Sequence, residues 1–194
     1  MRGGTMDTPF IVGIGGTLNR ESSTESALRF ALDSAQSQGA RIEMFGGSEL
    51  AALPMYDPQH ADNPTAQHLI ESLRAAQGVI IASPGYHGSI SGFVKNALDY
   101  VEELRNDDDP YLSGRAVGCI TTAYGWQAAV TTLQTLRSIV HALRGWPTPL
   151  GAAINSAESR ISYGAPLDAP ADFQLRTVGQ EVCTLSMGIV RTQV

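Results

Sequence analysis

Cationic side chains are scarce in this chain: thirteen Lys and Arg face nineteen Asp and Glu, for a formal net charge of −6. That balance argues against a sequence-independent nucleic-acid binder, which normally carries a basic face. It leaves anionic small molecules open, because backbone N–H groups at a helix start hold a phosphate with little cationic help. Cysteine is scarcer still: Cys119 and Cys183 form no CxxC and no zinc or iron–sulfur spacing. Both read as buried free thiols, which fits a reducing compartment and a cytoplasmic protein. No apolar run approaches the ~20 residues needed to span a bilayer, and no signal peptide is visible, so no membrane partner is expected. The G-x-x-x-x-G-K-[ST] and G-x-G-x-x-G phosphate loops are missing, which disfavours a dinucleotide pyrophosphate site. With no G-x-S-x-G elbow, serine hydrolase chemistry has no support. His60, His68 and His141 show neither metal-ligand spacing nor a triad with Cys or Ser.

What is present is alternation. Short apolar runs near 9–15, 40–45, 78–83, 115–122 and 147–154 read as strands. Amphipathic segments near 24–38, 65–76, 91–104, 126–143 and 170–190 read as helices between and after them. Strands that alternate with helices predict an α/β fold, with a parallel sheet covered on both faces and right-handed crossovers. The 194 residues suit one domain over 9–194, behind a loose glycine-rich tail over 1–8. Asp107-Asp108-Asp109 reads as a solvated loop, with a hard cation as the weaker alternative. Asn155–Pro170 reads as a long excursion before the last helix, a length common in functional or intersubunit elements.

Three turn-rich segments follow strands and precede helices, so in a doubly wound sheet they emerge at the same carboxyl edge. The first, Gly13 to Thr24, carries glycines, hydroxyls and Arg20. Thr17, Arg20, Ser22, Ser23 and Thr24 suit a terminal monophosphate at a helix start, although Ser22, Ser23 or Thr24 would also serve simply as a cap. The second, Ser83–Ser91, offers Pro84, Gly85, Tyr86, His87, Gly88 and Ser89. Its glycines let backbone N–H groups approach a flat ring, and His87 reads as a loop residue rather than a base. The third offers Ala123, Tyr124, Gly125 and Trp126, whose aromatic pair either borders a ring or belongs to the core. Lys95 and Asp99, four apart on one helix, pair locally.

These residues carry a resemblance. SPGYHGSISGFVKNALDY at 83–100 is similar to the SPxYxGSxxGxxKNxxDW/Y block of the NAD(P)H-dependent FMN reductase family, a branch of the flavodoxin-like proteins. LPMYDP at 53–58 resembles the family's LPLYxx segment, and GGTLNRESSTESAL resembles its G[ST]xRxxS loop. The likeness runs from about Phe10 to Gln180. It implies a flavodoxin-like doubly wound sheet of five parallel strands in the order 2-1-3-4-5. It also implies FMN phosphate on the first loop, the isoalloxazine against the second, and the third at the ring's border. Family members commonly form homodimers or homotetramers through the helix that carries Lys95, Asn96 and Asp99. Three positions depart from the pattern: Asn19 stands where Arg is common, with Arg20 displaced by one, Gly85 replaces a frequent Glu, and His87 a frequent Asn.

The activity so implied is hydride transfer from NADPH or NADH to flavin N5, with delivery of reduced flavin or electrons to a small-molecule acceptor or a flavin-dependent partner enzyme. No catalytic side chain and no metal are expected, because the cofactor carries the chemistry and the protein positions and tunes it. A quinone, azo-dye or metal-ion reductase on the same scaffold is the rival within the enzymes. A flavodoxin-type electron carrier and a regulatory module that has lost its flavin are the rivals outside them.

Overall fold

The structure is a computed structural model that describes residues 8–19, 21–59 and 62–192. The tail expected over 1–8 falls outside the described residues except for Thr8, and Arg20 and His60 also lie outside them. Strand β1 (Phe10–Gly15) leads into helix α1 (Ser23–Ser37), β2 (Arg41–Phe45), a one-turn helix α2 (Gly47–Ala51) and α3 (Pro64–Ala75). Then come β3 (Gly78–Tyr86), β4 (Ser89–Ile90), α4 (Gly92–Asp99) and a 3-10 turn over Tyr100–Leu104. The chain finishes with β5 (Ala116–Ala123), α5 (Trp126–Ala142), β6 (Trp146–Pro147), β7 (Ala152–Asn155) and α6 (Ala169–Thr192).

Among the described residues the sheet runs β2-β1-β3-β5, with β6 and β7 both parallel to the far edge of β5. The flavodoxin-like order 2-1-3-4-5 therefore holds for the parallel positions, but the count of five strands does not. The expected strand at 147–154 is broken. Pro147 and Pro149 lack the N–H groups a ladder needs, and the carbonyls and amides between the two pieces are met from the flanking helices. Arg137 of α5 donates to the Thr148 carbonyl at 2.8 Å, and the Leu150 N–H donates to Glu181 of α6 at 2.9 Å. The other extra strand is β4, which pairs antiparallel with the end of β3.

Alternating strand residues fill two cores. Val12, Ile14, Val79, Ile81, Val117 and Cys119 face α3, α4 and α5; Ile11, Ile80, Ala82 and Ile120 face α1 and α6. Burial on both sides explains why the central strands are apolar runs rather than alternating ones. The helices start where short polar side chains can cap them. Ser22 accepts from the Glu25 N–H, Asn63 from Thr65 and Ala66 with Pro64 at the first position, and Ser91 from Val94. Helix α2 was not expected, because five residues are too few to show helical periodicity.

Candidate cofactor site

The three loops converge pairwise at the carboxyl edge of the sheet. The buried Thr24 hydroxyl meets that of Thr122 on β5, 2.5 Å away, which joins the start of α1 to the third loop. A Cβ on Gly85 would lie 3.0 Å from the Ala123 Cβ, which joins the second loop to the third. Between the first and second loops lies a cleft of about 290 Å³, with Thr17, Leu18 and Asn19 on one wall and Pro84, Tyr86 and Phe93 on the other. Its size is at the small end for ligand pockets. A larger concavity of about 410 Å³ sits by Arg74, Asp107 and Arg115. It lies at the amino edge, where open α/β sheets do not place their ligands, and the Arg74–Asp107 ion pair crosses it at 2.7 Å.

At the first loop, Ser22-Ser23-Thr24-Glu25 reads as a capping box, in which Glu25 would reach back to the Ser22 N–H. It does not. Its carboxylate accepts from the Gly47 N–H and from Arg29, both at 2.9 Å. The Ser22 hydroxyl caps the Glu25 N–H at 3.1 Å, while the N–H groups of Ser22, Ser23 and Thr24 meet no acceptor among the described residues, and such groups favour an anion. Two other donors of the loop are taken: Asn19 N–H by Thr17 Oγ1 and Glu21 N–H by Asn19 Oδ1, both at 3.1 Å. Thr17 and Ser23 stand at the surface side of this loop; Ser22 and Thr24 are buried. A monophosphate fits what is there: a helix start with unclaimed donors and hydroxyls around it.

The second loop differs from its expected form. The chain does not turn at Ser83; β3 continues to Tyr86 and reverses through His87 and Gly88, whose φ angles are +52° and +84°. Two consecutive positive φ values mark a two-residue hairpin of type I′, which Asn-Gly favours and which His enters more readily than most residues. His87 is thereby a turn residue. The buried Ser83 hydroxyl braces the hairpin, donating to the Pro84 carbonyl at 2.9 Å and accepting from the Ser91 N–H at 3.0 Å. Pro84 is buried beneath it, while Tyr86, His87, Gly88 and Ser89 are exposed.

The third loop is tied down by residues after β7. Asn155 accepts from the Gly125 N–H at 2.7 Å and donates to Glu158, which also accepts from the Trp126 indole N–H at 2.8 Å. Ala123 is buried at the strand end. Tyr124 stays 85% exposed and Trp126 48%, so this pair is not core. Asn155 and Glu158 were not singled out in the sequence; an Asn three residues before a Glu is the only local signal.

Residues of the LPMYDP and VKNALDY blocks meet as well. Asn96 accepts from the Tyr56 N–H at 2.9 Å and donates to the Pro54 carbonyl at 2.7 Å, and the Tyr100 hydroxyl donates to the same carbonyl. Tyr56 donates to Glu103 at 2.7 Å; burial first, and then that carboxylate, push its hydroxyl well above the ordinary tyrosine range. Asn96 is thus a clamp on the 53–56 segment. Lys95 and Asp99 pair with each other on the exposed face of α4. Of the histidines, His68 pairs with Glu43 at 2.9 Å and stacks edge-on to Phe45, and His141 is exposed.

The sequence pattern of the NADPH-dependent FMN reductases matches residues 9–159, all three loops included. The chain belongs to that family. Two of its relatives are an FMN-dependent NADPH-azoreductase of Staphylococcus haemolyticus, 35% identical over 107 residues, and a quinone reductase of Escherichia coli K12, 33% identical over 105 residues. These matches cover 55% and 52% of this chain, and the chain spans about half the length of these curated relatives (53% and 54%). Solved structures share the fold. The flavoenzyme NAD(P)H:(acceptor) oxidoreductase FerB of Paracoccus denitrificans superposes with TM-score 0.74 at 19% identity, covering 92% of this chain and 97% of FerB. An apo NADH:FMN oxidoreductase gives 0.69 at 18%, over 91% and 89%. Flavodoxin of Streptococcus pneumoniae TIGR4 gives 0.59 at 10%, over 90% and 98%.

Proposed function

We propose that this chain is an NAD(P)H-dependent FMN reductase that holds FMN at the carboxyl edge of its sheet. The cleft between the first and second strand-end loops, with the third loop packed against the second and a helix start beside it that Glu25 does not close, carries this reading. The N–H groups of Ser22 and Ser23, with the hydroxyls of Thr17, Ser22 and Ser23, would hold the phosphate; Thr24, spent on Thr122, would fix the helix there. The hairpin from Pro84 to Ser89 would support the isoalloxazine, and its exposed N–H groups would face negative charge developing at the ring. Tyr124 and Trp126 would border the ring, leaving one side open for a stacked nicotinamide. Bound FMN supplies the redox chemistry, taking hydride from the nicotinamide and yielding electrons to an acceptor. No side chain is required as acid, base or nucleophile.

A second reading concerns the acceptor. The open aromatic mouth and the names of the relatives favour a small quinone or azo compound over free flavin. A cytoplasmic location accords with two buried free cysteines; no described helix is long and apolar enough to cross a membrane. Residues 9–194 would act as one domain, in a homodimer or homotetramer.

Anaerobic mixing of the FMN-loaded protein with NADPH, and separately with NADH, tests the activity. Bleaching of the oxidised flavin band near ~450 nm within seconds is the expected result, because hydride transfer destroys that chromophore. Re-oxidation by a quinone, an azo dye or free FMN then names the acceptor. A bound flavin that neither nicotinamide bleaches would make the chain an electron carrier, and failure to take up FMN would sink the proposal.

A further inference from the structure

We propose that Arg160, with Ser23 and Ser26, forms a phosphate-binding subsite at the outer end of the nucleotide site. The inference rests on the flavin reading and deepens it. Cations are few here, and among the described residues nearly all are engaged. Arg29, Arg74, Arg105 and Arg176 face carboxylates, Arg115 and Arg137 donate to backbone carbonyls, and Arg41 and Arg144 lie over aromatic rings. The single lysine, Lys95, pairs with Asp99. Of the cations whose side chains are described, Arg160 alone has no such partner.

It is also placed. A second cleft, of about 260 Å³, opens on the flank of α1, with Glu21, Ser23, Ser26, Arg160, Ser162 and Tyr163 around it. The cleft lies directly outside the first loop and shares Ser23 with the helix start described above. The strap that brings Arg160 there is anchored on α1. Tyr163 donates to Asp33 at 2.8 Å, its ring packs on Phe30 with centroids 5.4 Å apart, and the neighbouring Ile161 is buried. A guanidinium held on a fixed backbone beside two serine hydroxyls matches a phosphate, whose oxygens accept paired N–H bonds. Glu21 opposes an anion on the same wall, so the cleft needs the cation to take one.

The match to the family pattern ends at residue 159, one residue before Arg160. The first loop holds Asn19 where the family's arginine is common, so a cation arriving from the strap would stand in for it. The phosphate has two sources: the 5′-phosphate of FMN itself, or the 2′-phosphate that distinguishes NADPH from NADH.

Titrating the full chain, R160Q and R160K with FMN and with riboflavin, followed by flavin fluorescence, separates these. R160Q is expected to weaken FMN about ten- to a hundredfold, the worth of a charged hydrogen-bonded pair, to leave riboflavin unchanged, and R160K to recover part of the loss. A steeper salt dependence of FMN binding in the unaltered chain would support the same assignment. If FMN is unaffected but R160Q raises KM for NADPH and not for NADH, the subsite serves the co-substrate. If neither FMN affinity nor the NADPH preference changes, the subsite is refuted while the flavin reading stands. If the unaltered chain gives no saturable signal with either flavin, the flavin reading falls and takes this inference with it.

Discussion

The hydroxyl oxygen of Thr132 lies 2.6 Å from the point that a Cβ on Gly85 would occupy. Helix α5 therefore packs directly on the backbone of the second loop, and a family member with Glu at this position needs a different contact beneath it. Thr132 Oγ1 is buried without a hydrogen-bond partner, so the helix gains nothing polar from the approach. G85A is expected to cost about 1–3 kcal/mol through overpacking. Adding T132A should return at least half of that, because the two sites share one gap. T132V alone, which removes an unsatisfied hydroxyl at nearly constant volume, should be neutral or slightly stabilising. Urea unfolding of the three variants beside the unaltered chain checks all three statements.

Asn96 holds the 53–56 segment through one acceptor and one donor. N96A should cost about 1–3 kcal/mol, since it strands the Tyr56 N–H in a partly buried place and leaves the Pro54 carbonyl only the Tyr100 hydroxyl. N96D keeps the acceptor and loses the donor, so an intermediate loss is expected. Limited proteolysis should show faster cutting near Met55, which is already exposed, before any change in global stability at low denaturant.

Arg115 is 8% exposed and, among the described residues, forms no ion pair, although Asp107 and Asp109 lie near enough to act on its charge. Its guanidinium donates instead to the carbonyls of Leu73, Arg74 and Ala76 at the end of α3, and to those of Tyr111 and Ser113. Burial pulls its pKa below the ordinary guanidinium value, but the hydrogen bonds require the charged fork. R115M should destabilise by about 2–4 kcal/mol, and R115K should rescue little of it, because an ammonium cannot reach all those carbonyls from one place. Hydrogen exchange at the end of α3 and the start of β5 should accelerate in both.

Cys119 is buried against β3 and β5 neighbours, and burial pushes its thiol up to about 12 from an ordinary value of 9.0. A folded-state pKa raised above the unfolded one gives stability that is complete below the unfolded value and is lost as pH climbs through the folded one. Between about pH 9 and pH 12 the unfolded chain releases this proton and the folded chain keeps it. Stability should fall across that window, and C119A should flatten the slope while lowering stability at neutral pH through the cavity it leaves. Cys183 is buried as well. A thiol reagent at pH near ~8 should therefore label neither cysteine in the folded protein and both in urea.

Much of this architecture was legible in the chain because burial on both faces writes a distinct pattern. The apolar runs at β1, β3 and β5 and the amphipathic periods of α1, α3, α5 and α6 could be placed to within a few residues. What escaped was set by partners distant in sequence or by turn chemistry. Ser83 to Gly92 has the composition of an irregular loop, yet His87-Gly88 is a hairpin turn that keeps β3 extended to Tyr86. The break between β6 and β7 was written in Pro147 and Pro149, but Arg137 and Glu181, which make the break tolerable, lie on two other elements. Glu25 carries the spacing of a capping box; only the arrival of Gly47 shows why it fails to close. The loops carried enough composition to mark them as one candidate site, whereas the clamp at Asn96 and the brace at Asn155 depend on contacts that no local spacing reveals.

The contact between Glu25 and Gly47 also bears on portability. A side chain at Gly47 would come within 2.1 Å of the Thr17 carbonyl, so the path of the first loop is moulded by a segment that arrives thirty residues later. Transplanting residues 10–24 onto a foreign sheet would carry their spelling but not their shape, and any borrowed version of this loop must bring the Gly46-Gly47 corner along.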